Sequence, residues 1–300
     1  MYDIIIVGAG PAGLTAAIYA RRSNKKVLVL EKTSYGGQII NTLSIDNYPV
    51  NPGISGFDFA TNLYNQVKAL DAEIKFEKVT EIKNNSDYKE VITNKDTYKT
   101  KTIILATGSI NRKLGLANED KLIGKGISYC ATCDGAFYKN KDVAIVGGGN
   151  TAVEDALYLS DIASTVYLIH RRDKFRAEEA IVSKLKEKNN VKFIYNSNVT
   201  KLNSNDQLES IEVTNNNGDK ETINASGLFV AIGRNPENNE FKDIISLDDA
   251  GYIKAGENCH TNIDGIYACG DNRTKDLRQL VTATSDGAIA ATEAIKYINK

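Results

Sequence analysis

The chain contains one thirty-residue pattern twice, and this duplication restricts the fold more than any other feature of the sequence. Residues 2–31, YDIIIVGAGPAGLTAAIYARRSNKKVLVLE, align with residues 141–170, KDVAIVGGGNTAVEDALYLSDIASTVYLIH, without a gap and with eight identities. Each copy opens with a β-branched run and turns through glycines. It then continues with apolar residues at helical spacing and ends in a second β-rich run, Val27 to Leu30 or Val166 to Ile169. That succession specifies a βαβ unit, so the expected fold class is α/β with two Rossmann-like dinucleotide-binding domains. At 300 residues the chain has room for both, since a compact domain holds roughly 100–200 residues.

The glycines have separate tasks. Gly8 and Gly147 permit the tight turn after the strand, Gly10 and Gly149 let a pyrophosphate approach the backbone, and Gly13 or Ala152 lets the helix pack closely on the sheet. The helix that follows offers unpaired N–H groups and the positive end of its dipole to the phosphates. The ends of the second strands separate the two ligands. Glu31 lies 23 positions after Gly8, where a carboxylate accepts hydrogen bonds from a free ribose 2′-OH, as in FAD or NAD. The same spacing from Gly147 reaches His170, followed by Arg171, Arg172 and Arg176. A 2′-phosphate would be repelled by Glu and bound by guanidinium groups, so the second site reads as one for NADP(H). The alternative readings are a solvated strand-end Glu and a solvated basic turn.

Cys130-Ala131-Thr132-Cys133-Asp134-Gly135 lies between the copies. Two cysteines with two intervening residues can close a small disulfide ring, and such pairs often have one acidified thiol, which favours exchange. Asp134 could carry a proton to or from a departing thiolate, or simply cap the adjoining turn. A zinc site would need two more ligands from Cys259, Cys269, His170 and His260, and none of these has the required spacing, so no metal is expected. Cys269, in an apolar run, reads as a buried inert thiol, and Cys259 and His260 read as loop residues.

Composition limits the partners. Lys+Arg 37 against Asp+Glu 38 leaves a formal net charge of -1, which gives no basic field for nucleic acid or an anionic membrane. Met1-Tyr2-Asp3 leads directly into Ile4 to Val7 with no basic leader, and no run reaches the ~18 apolar residues of a membrane span. The expected location is cytoplasmic, where a close cysteine pair is better explained by catalysis than by a structural disulfide.

Taken in order, GAGPAG at 8–13, GGQ at 36–38, NYP at 47–49, ATG at 106–108, CATCDG at 130–135, GGGNTAVEDA at 147–156, HRRDKFRA at 170–177, VAIGRNP at 230–236, ACGD at 268–271 and RQL at 278–280 resemble the low-molecular-weight thioredoxin reductases along essentially the whole chain. The resemblance implies a discontinuous FAD domain, 1–112 and 241–300, with an NADPH domain, 113–240, inserted and carrying the redox cysteines. Pattern alone places only one boundary, between the repeats.

By the same resemblance FAD is held by Gly8, Gly10, Pro11, Ala12, Gly13, Glu31 and Lys32, and by Gly36, Gly37, Gln38 and Asn47. Gly108, Gly270, Asp271, Arg278, Gln279 and Leu280 complete that set. NADPH is held by Gly147, Gly149, Asn150, Thr151, Ala152, His170, Arg171, Arg172 and Arg176. Cys133 is the thiol nearer the flavin, Cys130 attacks the protein substrate and Asp134 is the acid.

The implied activity passes electrons from NADPH through FAD and the Cys130/Cys133 pair to thioredoxin, in a homodimer, with rotation at crossings near Arg112 and Glu240. The competing readings are a relative that uses ferredoxin as donor or another disulfide carrier, and a non-catalytic redox sensor. Two departures from the family pattern stand out: Leu116 to Asp120 lacks the commoner proline-containing turn, and Cys269 replaces a more usual alanine.

Overall fold

The computed structural model describes residues 1–42 and 44–300. It divides into two compact units, one made of Met1–Ile110 with Asn235–Lys300 and the other of Asn111–Arg234. The second crossing therefore comes earlier than Glu240, and Asn238 supplies the physical reason. Its side chain, 1% exposed, donates to the carbonyls of Gly251 and Asn272 and accepts from Thr107 Oγ1. These bonds fix the stretch after Arg234 to the first unit.

In the first unit, strand Tyr2–Val7 lies between Val27–Glu31 and Thr97–Leu105, all parallel. Glu73–Phe76 extends the sheet on one side. On the other, Thr97–Leu105 pairs with Ile266–Ala268 through its last residues and, through its first, with the antiparallel meander Lys89–Thr93 and Val79–Asn84. Ile4, Ile5 and Ile6 are all fully buried, which is why this strand reads as an unbroken apolar run rather than an alternating one. Helices Pro11–Arg22 and Leu280–Ile298 cover one face, joined at small residues: a Cβ on Gly287 would lie 2.2 Å from the carbonyl of Ala12. Phe241, Ile245 and Ile253 fill the other face.

The inserted unit repeats the scheme. Its parallel sheet runs in the order Val191–Ile194, Thr165–Ile169, Asp142–Gly147, Gly227–Ala231 and Ile127–Ser128. Helix Asn150–Ser160 packs on one face, and a three-stranded antiparallel sheet, Ser197–Ser204, Leu208–Asn215 and Lys220–Asn224, belongs to the core on the other. Both glycine turns thus leave the carboxyl end of a central parallel strand, where open α/β sheets bind ligands.

Candidate active site

At the first turn the Gly8 N–H donates to the Leu30 carbonyl at 2.8 Å. The helix then begins so close to the turn that a Cβ on Gly13 would sit 2.0 Å from Gly8 O. Pro11 occupies the first helical turn, where a missing N–H is harmless. Glu31, 9% exposed, folds back over this turn. One carboxylate oxygen accepts from the Ala9 N–H at 2.9 Å and the other from the Thr33 N–H at 3.0 Å. Gly36 N–H donates to Ala9 O at 2.8 Å, and a Cβ on Gly37 would come within 3.3 Å of Gly10 Cα. The two glycines leave a slot without side chains in front of a helix N-terminus, which suits a pyrophosphate.

Gly270 closes against Ala12, where a Cβ would lie 3.0 Å from the Ala12 side chain. Its N–H donates to Asp286, which also takes two bonds from Arg273, at 2.8 and 2.7 Å, and one from Lys275 at 2.9 Å. The three side chains of this ion triad are 3–6% exposed. The hydrogen bonds from Arg273, Lys275 and Gly270 outweigh burial and hold the Asp286 carboxyl below its usual range. The triad therefore anchors the Gly270-Asp271 segment.

A second convergence joins Asn47 to Gln279, whose side-chain oxygen accepts from Asn47 Nδ2 at 3.2 Å. Gln279 and Thr282 form a capping box at the start of the helix that begins with Leu280, and the Arg278 guanidinium lies 4.1 Å from the centre of the Tyr252 ring. Of the remaining FAD candidates, Lys32 pairs with Glu237, Gln38 is exposed on the short helix Gly37–Asn41, and Gly108 has a left-handed φ of 71°. Asp271 is partly buried.

The second turn has the same backbone plan and a different filling. Beneath Gly148 lies the imidazole of His170, 4% exposed, so close that a Cβ on Gly148 would be 2.1 Å from Cε1. Nε2 is 3.0 Å from the Lys174 carbonyl, and Phe175 packs 5.3 Å from the ring. Burial lowers the His170 pKa, so the ring is neutral at pH 7 and donates Nε2–H to Lys174. His170 thus holds the basic loop in place without adding charge to it.

Arg176 N–H donates to Gly148 O at 2.7 Å, folding the loop onto the glycine turn with Arg171, Arg172 and Arg176 exposed. Gly147 and Ala152 are buried, whereas Asn150 and Thr151 are exposed at the helix start and Gly149 has no atom within 4 Å of an added Cβ. An open helix N-terminus beside three guanidinium groups can take a pyrophosphate and a 2′-phosphate. Asn150 is tied to Glu178, whose N–H it accepts at 2.9 Å. The sequence reading missed Gly148 and Glu178. A third consecutive glycine was the one available signal.

Cys130 and Cys133 are joined by a disulfide with Cα atoms 5.3 Å apart. No group of three or more potential metal donors occurs among the described residues. Cys130 follows strand Ile127–Ser128 after one residue, and Ala131–Asp134 forms a single helical turn. The Asp134 carboxylate does not cap the next short helix, Gly135–Tyr138; it accepts the Ser128 hydroxyl at 2.6 Å. Burial raises its pKa, opposed by that hydrogen bond, so Asp134 keeps a proton to higher pH than an exposed carboxylate.

Where the family's proline is lacking, Glu119 supplies the order. It accepts three backbone N–H groups from Leu114, Gly115 and Leu116 together with the Tyr129 hydroxyl. Cys259 and Cys269 are both buried; burial pushes the Cys259 thiol up to about 12 and Cys269 well above its ordinary value, so both are inert thiols. Cys259 is a loop residue, as expected, with a left-handed φ of 60° and its side chain fully buried, and His260 beside it pairs with Glu293 at 3.1 Å.

Comparison with known proteins agrees with this geometry. A thioredoxin reductase of Listeria monocytogenes is 40% identical over 302 residues, covering 100% of this chain and 95% of its own. A "34.2 kDa protein in rubredoxin operon" of Clostridium pasteurianum is 43% identical, covering 99% of this chain and 97% of its own. The crystal structure of thioredoxin reductase from Streptococcus pyogenes superposes with a TM-score of 0.95 at 40% identity, covering 100% of this chain and 98% of that one. The family model for pyridine nucleotide-disulphide oxidoreductases matches residues 2–287. With two dinucleotide turns, a redox cysteine pair and relatives matched from end to end, the chain belongs to the pyridine nucleotide-disulphide oxidoreductase family.

Proposed function

We propose that the chain is an NADPH-dependent thioredoxin reductase in which Met1–Ile110 with Asn235–Lys300 holds FAD and Asn111–Arg234 holds NADPH. The observation that carries this reading is the Cys130–Cys133 disulfide in the same unit as a glycine turn flanked by exposed arginines. When bound, FAD supplies the two-electron step, taking a hydride from NADPH and passing the electron pair to the disulfide.

The protein's own groups do the rest. Gly10 and Gly37 seat the FAD pyrophosphate and Glu31 accepts from its ribose. Arg171, Arg172 and Arg176 bind the NADPH 2′-phosphate, and His170 holds their loop in place. Once the pair is reduced, the Cys130 thiolate attacks a thioredoxin disulfide, forming a mixed disulfide and releasing one thioredoxin thiolate, which takes a proton from Asp134. Cys133 then attacks Cys130 Sγ, restores the Cys130–Cys133 bond and frees the second thioredoxin sulfur. Two electrons leave the dithiol and two enter the partner.

Both redox partners of the flavin belong to the inserted unit, so turnover requires each to reach it in turn. Rotation about the crossings at Ile110/Asn111 and Arg234/Asn235 serves that need, and a cross-link between the units should stop steady turnover. The reading includes a cytoplasmic homodimer, checked by sedimentation. No helix among the described residues is long and apolar enough to cross a membrane.

The deciding experiment is NADPH-dependent reduction of purified thioredoxin by wild type, Cys130→Ser and Cys133→Ser. Wild type turns over and both variants lose it. Full activity in either variant, or none in wild type, rejects the assignment.

A further inference from the structure

The Ser128 hydroxyl touches three groups of the redox turn. It lies 2.6 Å from Asp134 Oδ2, accepts the Cys130 N–H at 3.1 Å and lies 3.2 Å from the Cys130 carbonyl. Ser128 is 3% exposed and ends an edge strand held by the pairings Ile127 with Leu228 and Ser128 with Phe229, so its position is set by the sheet. Cys130 and Asp134 are both partly buried, and Ala131 between them packs into the core beside Val143 and Phe229.

We propose that Ser128 is a positioning residue that aims the Asp134 acid at the cysteine pair and couples it to the backbone of the attacking Cys130; this deepens the functional reading above and rests on it. A hydroxyl has one hydrogen and two acceptor sites. With Asp134 ionised, the hydrogen goes to the carboxylate, the shorter and charge-assisted bond, while the oxygen accepts the Cys130 N–H. With Asp134 protonated, the carboxyl O–H donates to Ser128 Oγ, and the serine hydrogen turns to the Cys130 carbonyl. Every partner is satisfied in both states, and only one O–H rotates. Asp134–COOH can therefore give its proton to a thioredoxin thiolate, leaving Asp134–COO⁻ and a thiol, with no movement of heavy atoms.

The titratable groups facing Asp134 are few. On its own segment they are Cys130, Cys133 and Tyr138; burial and then the Asp134 charge push the tyrosine up to about 12. From helix Asn150–Ser160 the contact on the adjoining Gly135 is Tyr158. The serine hydrogen bond favours the ionised acid and burial disfavours it. Removing the hydroxyl should move the Asp134 titration to higher pH as well as loosen its aim.

The test compares Ser128→Ala, Ser128→Thr, Asp134→Asn and Ser128→Ala/Asp134→Asn, with circular dichroism to confirm folding. Ser128→Ala should lower kcat/KM for thioredoxin about 10-fold to 100-fold, part of what a general acid supplies. It should also shift the alkaline limb of the pH profile upward and leave the rate of flavin reduction by NADPH unchanged. Ser128→Thr, which keeps the hydroxyl, should stay within about 3-fold of wild type. In the Asp134→Asn background Ser128→Ala should add little, since the two act as a unit. An unmoved pH limb, an unrescued threonine variant or fully additive losses would overturn the proposal.

Alkylation of the NADPH-reduced pair by iodoacetamide across pH gives a reading that needs no thioredoxin. A titration altered by Ser128→Ala supports the coupling even if thioredoxin is not the substrate, and an unaltered one rejects it. A wild-type enzyme that fails to reduce thioredoxin rejects the functional reading alone.

Discussion

The two glycine turns share a backbone and differ in what closes it. In the first, Glu31 reaches over the turn and accepts the Ala9 N–H through a carboxylate oxygen. In the second, the His170 ring lies directly under Gly148, in the space where a Cβ would stand. Ala9 and Gly148 are equivalent positions, and so are Glu31 and His170. The residue at the end of the second strand therefore decides whether the middle of the turn can carry a side chain, and in the function proposed above it also selects the ribose substituent. The helices differ as well. Ala16 is fully buried in the first copy, beside Gly287 of the closing helix, whereas its equivalent in the second is Asp155.

The arginines should give the largest effect. Replacing Arg171, Arg172 and Arg176 together by alanine should raise KM for NADPH about 100-fold with little change in kcat, roughly 2.8 kcal/mol in all; solvent exposure of the three arginines keeps this below three full hydrogen bonds to a charged group. Steady-state kinetics with NADPH and NADH side by side check this. An equal loss with NADH would mean that the cluster does not read the 2′-phosphate.

Smaller effects separate the two turns. Gly148→Ala forces a clash with His170 and should cost about 1–3 kcal/mol, as overpacking does. It should also weaken NADPH binding about 10-fold, the equivalent of roughly 1.4 kcal/mol. Ala9→Gly should cost under about 1 kcal/mol. Thermal melts and NADPH titrations of both variants measure the contrast, and His170→Ala should relieve the Gly148→Ala clash. Equal costs at the two positions would break the comparison.

The smallest effect concerns Asp155, whose carboxyl is raised to about 7 by burial and by the Glu154 charge, with Arg234 opposing. Its pKa is higher folded than unfolded, so its stabilising contribution is fully present below about 3.8 and is lost as pH rises through about 7. Asp155→Asn should therefore raise stability by about 1–2 kcal/mol at pH 8, allowing for partial exposure, and by much less at pH 5. Thermal melts at the two pH values check the sign, which in Ala16→Asp should be the reverse, since a charge would enter a sealed core.

How much of this could be read from the chain depended on distance. The glycine turns, the CATCDG segment and the arginine run are local patterns, and each appears as a contiguous element of the structure. The contacts that align them are not local. Asn47 meets Gln279 across 232 residues, and Asn150 meets Glu178 across 28. Asp286 reaches Gly270 from the closing helix. Each depends on strand order and helix register, which no single window contains. Ser128 was missed for another reason: a serine beside a cysteine motif is ordinary in sequence, and only its burial and its 2.6 Å contact give it a task. The second crossing was displaced because Asn238, polar and unremarked in sequence, is a buried tie of the first unit.

In the proposed cycle electrons from NADPH arrive at Cys130 and Cys133. Anaerobic titration with NADPH followed by alkylation and peptide mapping tests it directly. The flavin should bleach and two new thiols should appear, at Cys130 and Cys133, with NADH far less effective at equal concentration. Bleaching without labelling of either cysteine, or labelling at Cys259 or Cys269 instead, would contradict it.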